Sequence, residues 1–275
     1  MADTEWHERQ YNPRLTVTDA AEILPAWRKR ASATRERLPP MGDIKYGPHP
    51  RENFDLFRAV NAKGTVVYIH GGYWRMLSKL ETSWVAESFV EQGHSVALIN
   101  YPLCPDVSLA HIRGSVLRAF AHLYAAVLND AERNNVIVTG HSAGGHLAAL
   151  HLATDWRALG LPENPLGGVI SLSGVFDVAP LIPTSMNADL RLSLDMVGPL
   201  NLIADHPRSR AKLVLAVGAL ESEEFHRQSS DLASAWSDLS PLLVDVADCN
   251  HYTIVDSLAD PQGQLFKLAC TMLNG

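Results

Sequence analysis

Residues 136–148 read VIVTGHSAGGHLA, and this stretch decides the fold. A β-branched run, Val136 to Thr139, leads into Gly140-His141-Ser142-Ala143-Gly144, and a small-residue helical pattern follows at once. Strand, tight turn and helix in that order are the setting in which G-x-S-x-G acts as a nucleophile elbow. The two glycines answer a steric demand. The serine sits in a strained backbone region, and a Cβ at either flank would strike the neighbouring strand or helix. Ser142 is therefore the candidate nucleophile, held above a sheet with a helix N-terminus behind it.

A serine hydroxyl is a poor nucleophile at its own pKa. It needs a histidine to take its proton and a carboxylate to fix the imidazole tautomer. In this topology the order after the serine is acid, then histidine. Residues 211–221, AKLVLAVGALE, read as a buried strand that ends in a loop carrying Glu221, and PLLVDVADCNHY ends in a loop that presents His251. Both lie past the C-terminal end of a strand, the edge where open α/β sheets build their sites. Glu221 is the preferred acid because it follows the penultimate strand. Asp177, in SGVFD after the preceding strand, is the competitor, and Asp248 lies too near His251 in sequence. Glu223 and Glu224 fit better as the acidic first turn of a helix.

A further motif supplies an anion site. TVVYIHGGYW (65–74) is a strand followed by His70-Gly71-Gly72-Tyr73-Trp74. The N–H groups of Gly71 and Gly72, with that of Ala143, form a candidate oxyanion hole. The loop lacks P-loop spacing, and no G-x-G-x-x-G follows a strand, so nucleotide binding is not indicated.

With these residues in view, the chain resembles the α/β-hydrolases, and within them the HGG-bearing esterase branch that contains arylformamidase, or kynurenine formamidase. HGGYW is similar to that group's HGGxW motif, GHSAGGHLA to its elbow, and ESEEFHRQS to its acid-bearing segment. His251 in CNHY falls at the family's catalytic histidine, and WHERQYNPR resembles its N-terminal signature. One departure is Glu221, where those enzymes usually carry aspartate. The resemblance implies an α/β-hydrolase fold of about eight mostly parallel strands. It also implies serine hydrolysis of a small aryl formamide or short-chain ester through an acyl-enzyme. A general carboxylesterase or carbamate hydrolase would use the same machinery. A non-catalytic ligand-binding member of the fold is the remaining alternative, which the presence of both Ser142 and His251 argues against.

Composition fits a soluble enzyme. A chain of 275 residues, 47% of them hydrophobic, can bury one large core. No apolar run reaches spanning length, and the polar start MADTEWHERQ is unlike a secretory or transit peptide, so a cytoplasmic location is expected. Cys104, Cys249 and Cys270 are sparse and unpaired in spacing, which suits a reducing compartment. A net charge of −7 gives no reason to expect nucleic acid or an anionic membrane as partner, and it leaves a homodimer open. His141, His146 and His151 step by five residues around one helix, about 140° apart, and no H-E-x-x-H or cysteine pair accompanies them. Neither metal nor cofactor is expected.

Along the chain, one hydrolase domain (1–275) is read with an N-terminal arm over 1–40 that holds a helix near Ala20–Arg37. Strands are expected near 43–47, 53–60, 64–70, 95–100, 168–173, 212–217 and 242–247, besides the elbow strand. Helices are expected near 79–92, 108–129, 223–236 and 262–273. Residues 175–207, broken by Pro180, Pro183, Pro199 and Pro207, read as a lid insertion. Trp6, Tyr11, Tyr73, Trp74 and Phe176 are aromatics whose segments could reach Ser142. Tyr73 and Trp74 are the candidate substrate-binding pair, suited to an aromatic small molecule.

Overall fold

The computed structural model describes residues 2–274. Its strands are β1 (Met41–Lys45), β2 (Asn53–Phe57), β3 (Thr65–Ile69), β4 (Ser95–Ile99), β5 (Val136–His141), β6 (Gly168–Leu172), β7 (Lys212–Gly218) and β8 (Leu242–Val246). They form one sheet in the order β1-β2-β4-β3-β5-β6-β7-β8. The pairs β1–β2 and β2–β4 are antiparallel, and the remaining pairs are parallel. This is the α/β-hydrolase arrangement expected from the elbow.

The strand sequences explain the layering. Every residue of β2, β3, β4, β5 and β6 is buried, as a sheet covered on both faces requires. Adjacent residues serve opposite cores. Val67, Val138, Val169 and Leu215 face one cluster, while Val66, Ile137, Ile170 and Val214 face the other. The first cluster is closed by helices Leu109–His122, Ala143–Leu150 and Glu223–Ala235. The second is closed by Ala20–Arg37, Ile254–Ala259 and Gln264–Leu273. No described helix is long and apolar enough to cross a membrane.

Several elements depart from the sequence reading. The helix expected over 79–92 is broken into Lys79–Thr82, a tight 3₁₀ turn at Ser83–Val85, and Ala86–Glu91. Ser83 donates its hydroxyl to the Lys79 carbonyl at 3.0 Å, a back-bond that bends helices. The helix expected to reach 129 stops at His122 and widens into a π turn, Leu123–Val127. A short helix, Asp130–Arg133, then starts on an Asn129/Glu132 capping box that the N-x-x-E pattern already carried. Two further helices outside the 175–207 insertion were not anticipated, Ala2–Tyr11 in the arm and Ile254–Ala259 after His251. Residues 175–207 hold only short helical pieces, two of which carry Pro180 and Pro199 in their first turn.

Candidate active site

The elbow is built by close approach. Ser142 adopts φ 56° and ψ −118°, and its N–H donates to the Leu172 carbonyl of β6 at 2.7 Å. A Cβ on Gly140 would stand 2.2 Å from the Gly144 oxygen, and one on Gly144 would stand 2.0 Å from the Ile69 oxygen of β3. Both distances are impossible for any other residue, so the elbow's geometry selects its glycines. Ala143 opens the following helix, where the first-turn N–H groups have no intrahelical acceptor.

Glu221 and His251 meet at 2.6 Å between Oε2 and Nδ1, both side chains almost fully buried. The other carboxylate oxygen accepts the Ser173 hydroxyl at 2.5 Å and the Gly218 N–H at 2.8 Å. The carboxylate is thereby fixed by donors from the ends of β6 and β7. Asp177 makes no such contact. Its backbone N–H and carbonyl are held by Gln228, and its carboxylate caps the Ala179 N–H. Ser173, which nothing in the sequence singled out, is the residue that anchors the acid.

His251 is held on other sides as well. Its carbonyl accepts from His141 Nε2 at 2.6 Å, and its ring packs on Phe225 with centroids 4.5 Å apart. Burial holds the His141 pKa well below its ordinary value, with repulsion from His251 as the next cause, so His141 stays neutral and donates. With Nδ1–H committed to Glu221, Nε2 is the nitrogen left to serve Ser142, which shares a cavity wall with His251.

The HGG loop lies against the elbow. A Cβ on Gly71 would come within 2.8 Å of the His141 oxygen and 3.3 Å of Ser142 Cβ, and Gly72, at φ 104°, lines the cavity. Tyr101 donates its hydroxyl to the His70 carbonyl at 2.8 Å, and its ring stacks on His70 at 4.2 Å. Burial brings the His70 pKa down to about 4, so this support is uncharged. Gly71 thus abuts Ser142, Gly72 lines the same cavity, and Ala143 follows Ser142 at the start of the helix.

The cavity above Ser142 has a volume of about 90 Å³. Tyr73 lines it and donates its hydroxyl to the Tyr11 carbonyl. Trp74 corrects the expectation of a substrate contact. It is fully buried in the core, edge-on to His146 at 5.4 Å, and takes no part in the cavity wall. Tyr11 and Phe176 are also core residues, and Trp6 is 40% exposed. Beside Tyr73, the aromatic wall comes from Trp27 and Tyr252, whose rings lie 6.2 Å apart. Trp27 belongs to the stripe Ala20, Trp27, Ala31, Thr34 of the arm helix, a signal for a docked face but not for what that face covers. Met186 adds a wall residue from the 175–207 insertion.

His146 and His151 each hold one ring nitrogen on a backbone carbonyl, while their Nε2 atoms are buried without a hydrogen-bond partner among the described residues. His146 Nδ1 meets the Val175 carbonyl and His151 Nδ1 the Leu147 carbonyl, each at 2.8 Å. Among the described residues no group of three or more His, Cys, Asp or Glu is arranged to hold a metal ion.

Comparison with known proteins agrees with this geometry. The BD-FAE family model matches residues 54–235. The chain is 26% identical to a kynurenine formamidase of Danio rerio, over 98% of this chain and 95% of that protein. It is 28% identical to a kynurenine formamidase of Salmo salar, over 97% and 95%. A crystal structure of a protein from Silicibacter sp. TM1040, provisionally named a thioesterase, superposes with a TM-score of 0.83 at 30% identity, over 91% of this chain and 94% of that one.

Proposed function

The chain belongs to the BD-FAE family, and from that premise we propose that it is a serine hydrolase of small aryl formamides or short-chain esters, working through an acyl-enzyme. The observation that carries the reading is the 2.6 Å contact of Glu221 with His251 Nδ1, in a cavity that His251 shares with the strained Ser142.

The steps follow from the atoms. Ser142 Oγ attacks the carbonyl carbon as its proton passes to His251 Nε2, and Glu221 stabilises the imidazolium. The carbonyl π electrons move to oxygen, and the N–H groups of Gly71, Gly72 and Ala143 receive the oxyanion. Collapse expels the leaving nitrogen or oxygen, which takes the proton from Nε2. Water then attacks the acyl-Ser142 ester by the same route, releasing the acid and restoring the serine. Amide nitrogen leaves badly unless protonated, so the placement of His251 matters most for a formamide.

The small cavity favours a short acyl group, and formyl is the least hindered. In this reading the whole chain is one hydrolase domain, with the arm and the 175–207 insertion as its cover and a cytoplasmic setting. The test is a series of acyl esters and amides on one aryl leaving group, from formyl to decanoyl. We expect kcat/KM to peak at formyl or acetyl. A peak at about eight carbons or beyond would mark a long-chain esterase and overturn the short-acyl reading.

A further inference from the structure

The cavity over Ser142 does not end at its own mouth. It shares Arg14, Leu24, Met76 and Leu77 with an outer groove of about 500 Å³ along the arm helix. The charged side chains in these two walls, apart from the catalytic histidine, are Arg14, Arg75 and Arg28, and neither wall contains an aspartate or glutamate. Two of the three arginines are neutralised. Arg75 pairs with Asp189, and Arg28 pairs with Glu81 at 3.1 Å.

Arg14 differs. Among the described residues it forms no ion pair; its guanidinium meets the Met76 sulfur at 3.5 Å, and it lines the inner cavity together with Tyr252. It is also well anchored at the backbone. The Arg14 N–H donates to Asn12 Oδ1 at 3.3 Å, Asn12 Nδ2 donates to Glu8 at 2.8 Å, and Pro13 beside it is buried. A cation with most of its donors unspent therefore stands where the inner cavity joins the outer groove. In a chain of net charge −7, one guanidinium without an ion pair among the described residues gives the rim its local attraction for an anion.

We infer that Arg14 is a specificity residue, selecting substrates that carry a carboxylate on the leaving-group side of the scissile bond. The side follows from its neighbours. Arg14 shares the cavity wall with Tyr252, whose ring lies 5.7 Å from that of His251, the group that protonates the leaving atom. The inner cavity beside Ser142 holds the acyl end, so the rest of the substrate passes Arg14 into the groove. A guanidinium fork matches a carboxylate bidentately, which a lysine cannot do. The inference rests on the hydrolase reading and narrows its substrate class.

The test compares a phenyl acetate bearing a carboxymethyl group on the ring with the same ester carrying a carboxamide instead. Arg14 is exposed, and a charge-assisted hydrogen bond to it, screened by solvent, corresponds to about threefold to tenfold in kcat/KM. The wild type is expected to prefer the carboxylate ester by about that factor, and the preference should shrink between about 50 mM and about 500 mM salt. Arg14→Ala should bring the ratio of the two esters towards one, with Arg14→Lys in between. A wild type without preference, or a ratio that Arg14→Ala leaves within about twofold, would overturn the role of Arg14 while ester hydrolysis itself stands. If the wild type cleaves neither ester and a fluorophosphonate fails to label Ser142, the hydrolase reading falls and this inference with it.

Discussion

Replacing Glu221 by glutamine tests the acid through its own hydrogen bonds. One carboxylate oxygen is already taken by two donors, the Ser173 hydroxyl at 2.5 Å and the Gly218 N–H at 2.8 Å. The carbonyl oxygen of a glutamine must occupy that position, because the amide NH₂ cannot accept. The NH₂ then faces His251 Nδ1, at the place where Oε2 now stands 2.6 Å away. Two donors would oppose each other, so the ring must shift to the tautomer protonated on Nε2. That tautomer cannot accept the Ser142 proton. Loss of the correct tautomer costs about 10⁴-fold in kcat, or about 5.4 kcal/mol of transition-state stabilisation. The fold should survive, since shape and neutral hydrogen bonds are kept. The assay is kcat for an aryl acetate on Glu221→Gln and Asp177→Asn, each checked by thermal melting. Glu221→Asp, one methylene shorter, should fall between wild type and Glu221→Gln. Activity of folded Glu221→Gln within about tenfold of wild type, with a large loss in Asp177→Asn, would refute the reasoning and move the acid to the loop after β6.

Three other outcomes are expected. Ser142→Ala should lose about 10⁶-fold in kcat and all labelling by an organophosphate, and a folded variant keeping a tenth of the activity would rule out the serine route. Stability should fall on acidification, because burial holds the folded pKa values of His70, His146 and His151 at about 4, 3 and 4, below the ordinary 6.5. The unfolded chain then binds the extra protons, so stability is full above about pH 6.5 and each ring removes about 1.4 kcal/mol per pH unit below it, down to its folded pKa. A melting temperature that stays flat from about pH 7 to about pH 5 would contradict this. Tyr11→Phe removes a buried hydroxyl that donates to Glu224 and accepts from Gln228 at 3.0 Å, and should cost about 1–3 kcal/mol in urea denaturation. An unchanged midpoint would show the arm to be loosely held.

The parts of the site that were legible in the sequence are those whose chemistry is local. Strand, Gly140, Ser142, Gly144 and helix lie within one short stretch, and a Cβ at either glycine would collide with backbone only a strand away. His70-Gly71-Gly72 likewise follows directly from a strand whose apolar run announces burial, and His251 lies in the loop after the partly exposed edge strand β8. Glu221 and Asp177 both follow strands of equal quality, so local pattern left the acid open between them. The sheet decides it. Pairing β6 beside β7 brings Ser173 N–H to the Ala216 carbonyl at 2.7 Å and its hydroxyl to Glu221, which fixes the carboxylate beside His251.

The cavity wall was the least legible feature. Trp74 sits in the motif itself, and sequence proximity suggested a substrate contact, yet the turn at Tyr73 and Trp74, with φ of 48° and 53°, accompanies an indole buried in the core. Trp27, Arg14 and Met186 come from the arm and the insertion, more than forty positions from Ser142 in the chain. Periodicity could show that the arm helix buries a stripe, but not against what. The sequence by itself therefore determined the alternating α/β order and the candidate nucleophile, base and oxyanion loop, because each depends on backbone sterics and spacing along a few consecutive residues. Only the tertiary structure decided which carboxylate stands beside His251 and the shape and charge of the cavity, because those depend on which distant segments pack together over the sheet's C-terminal edge.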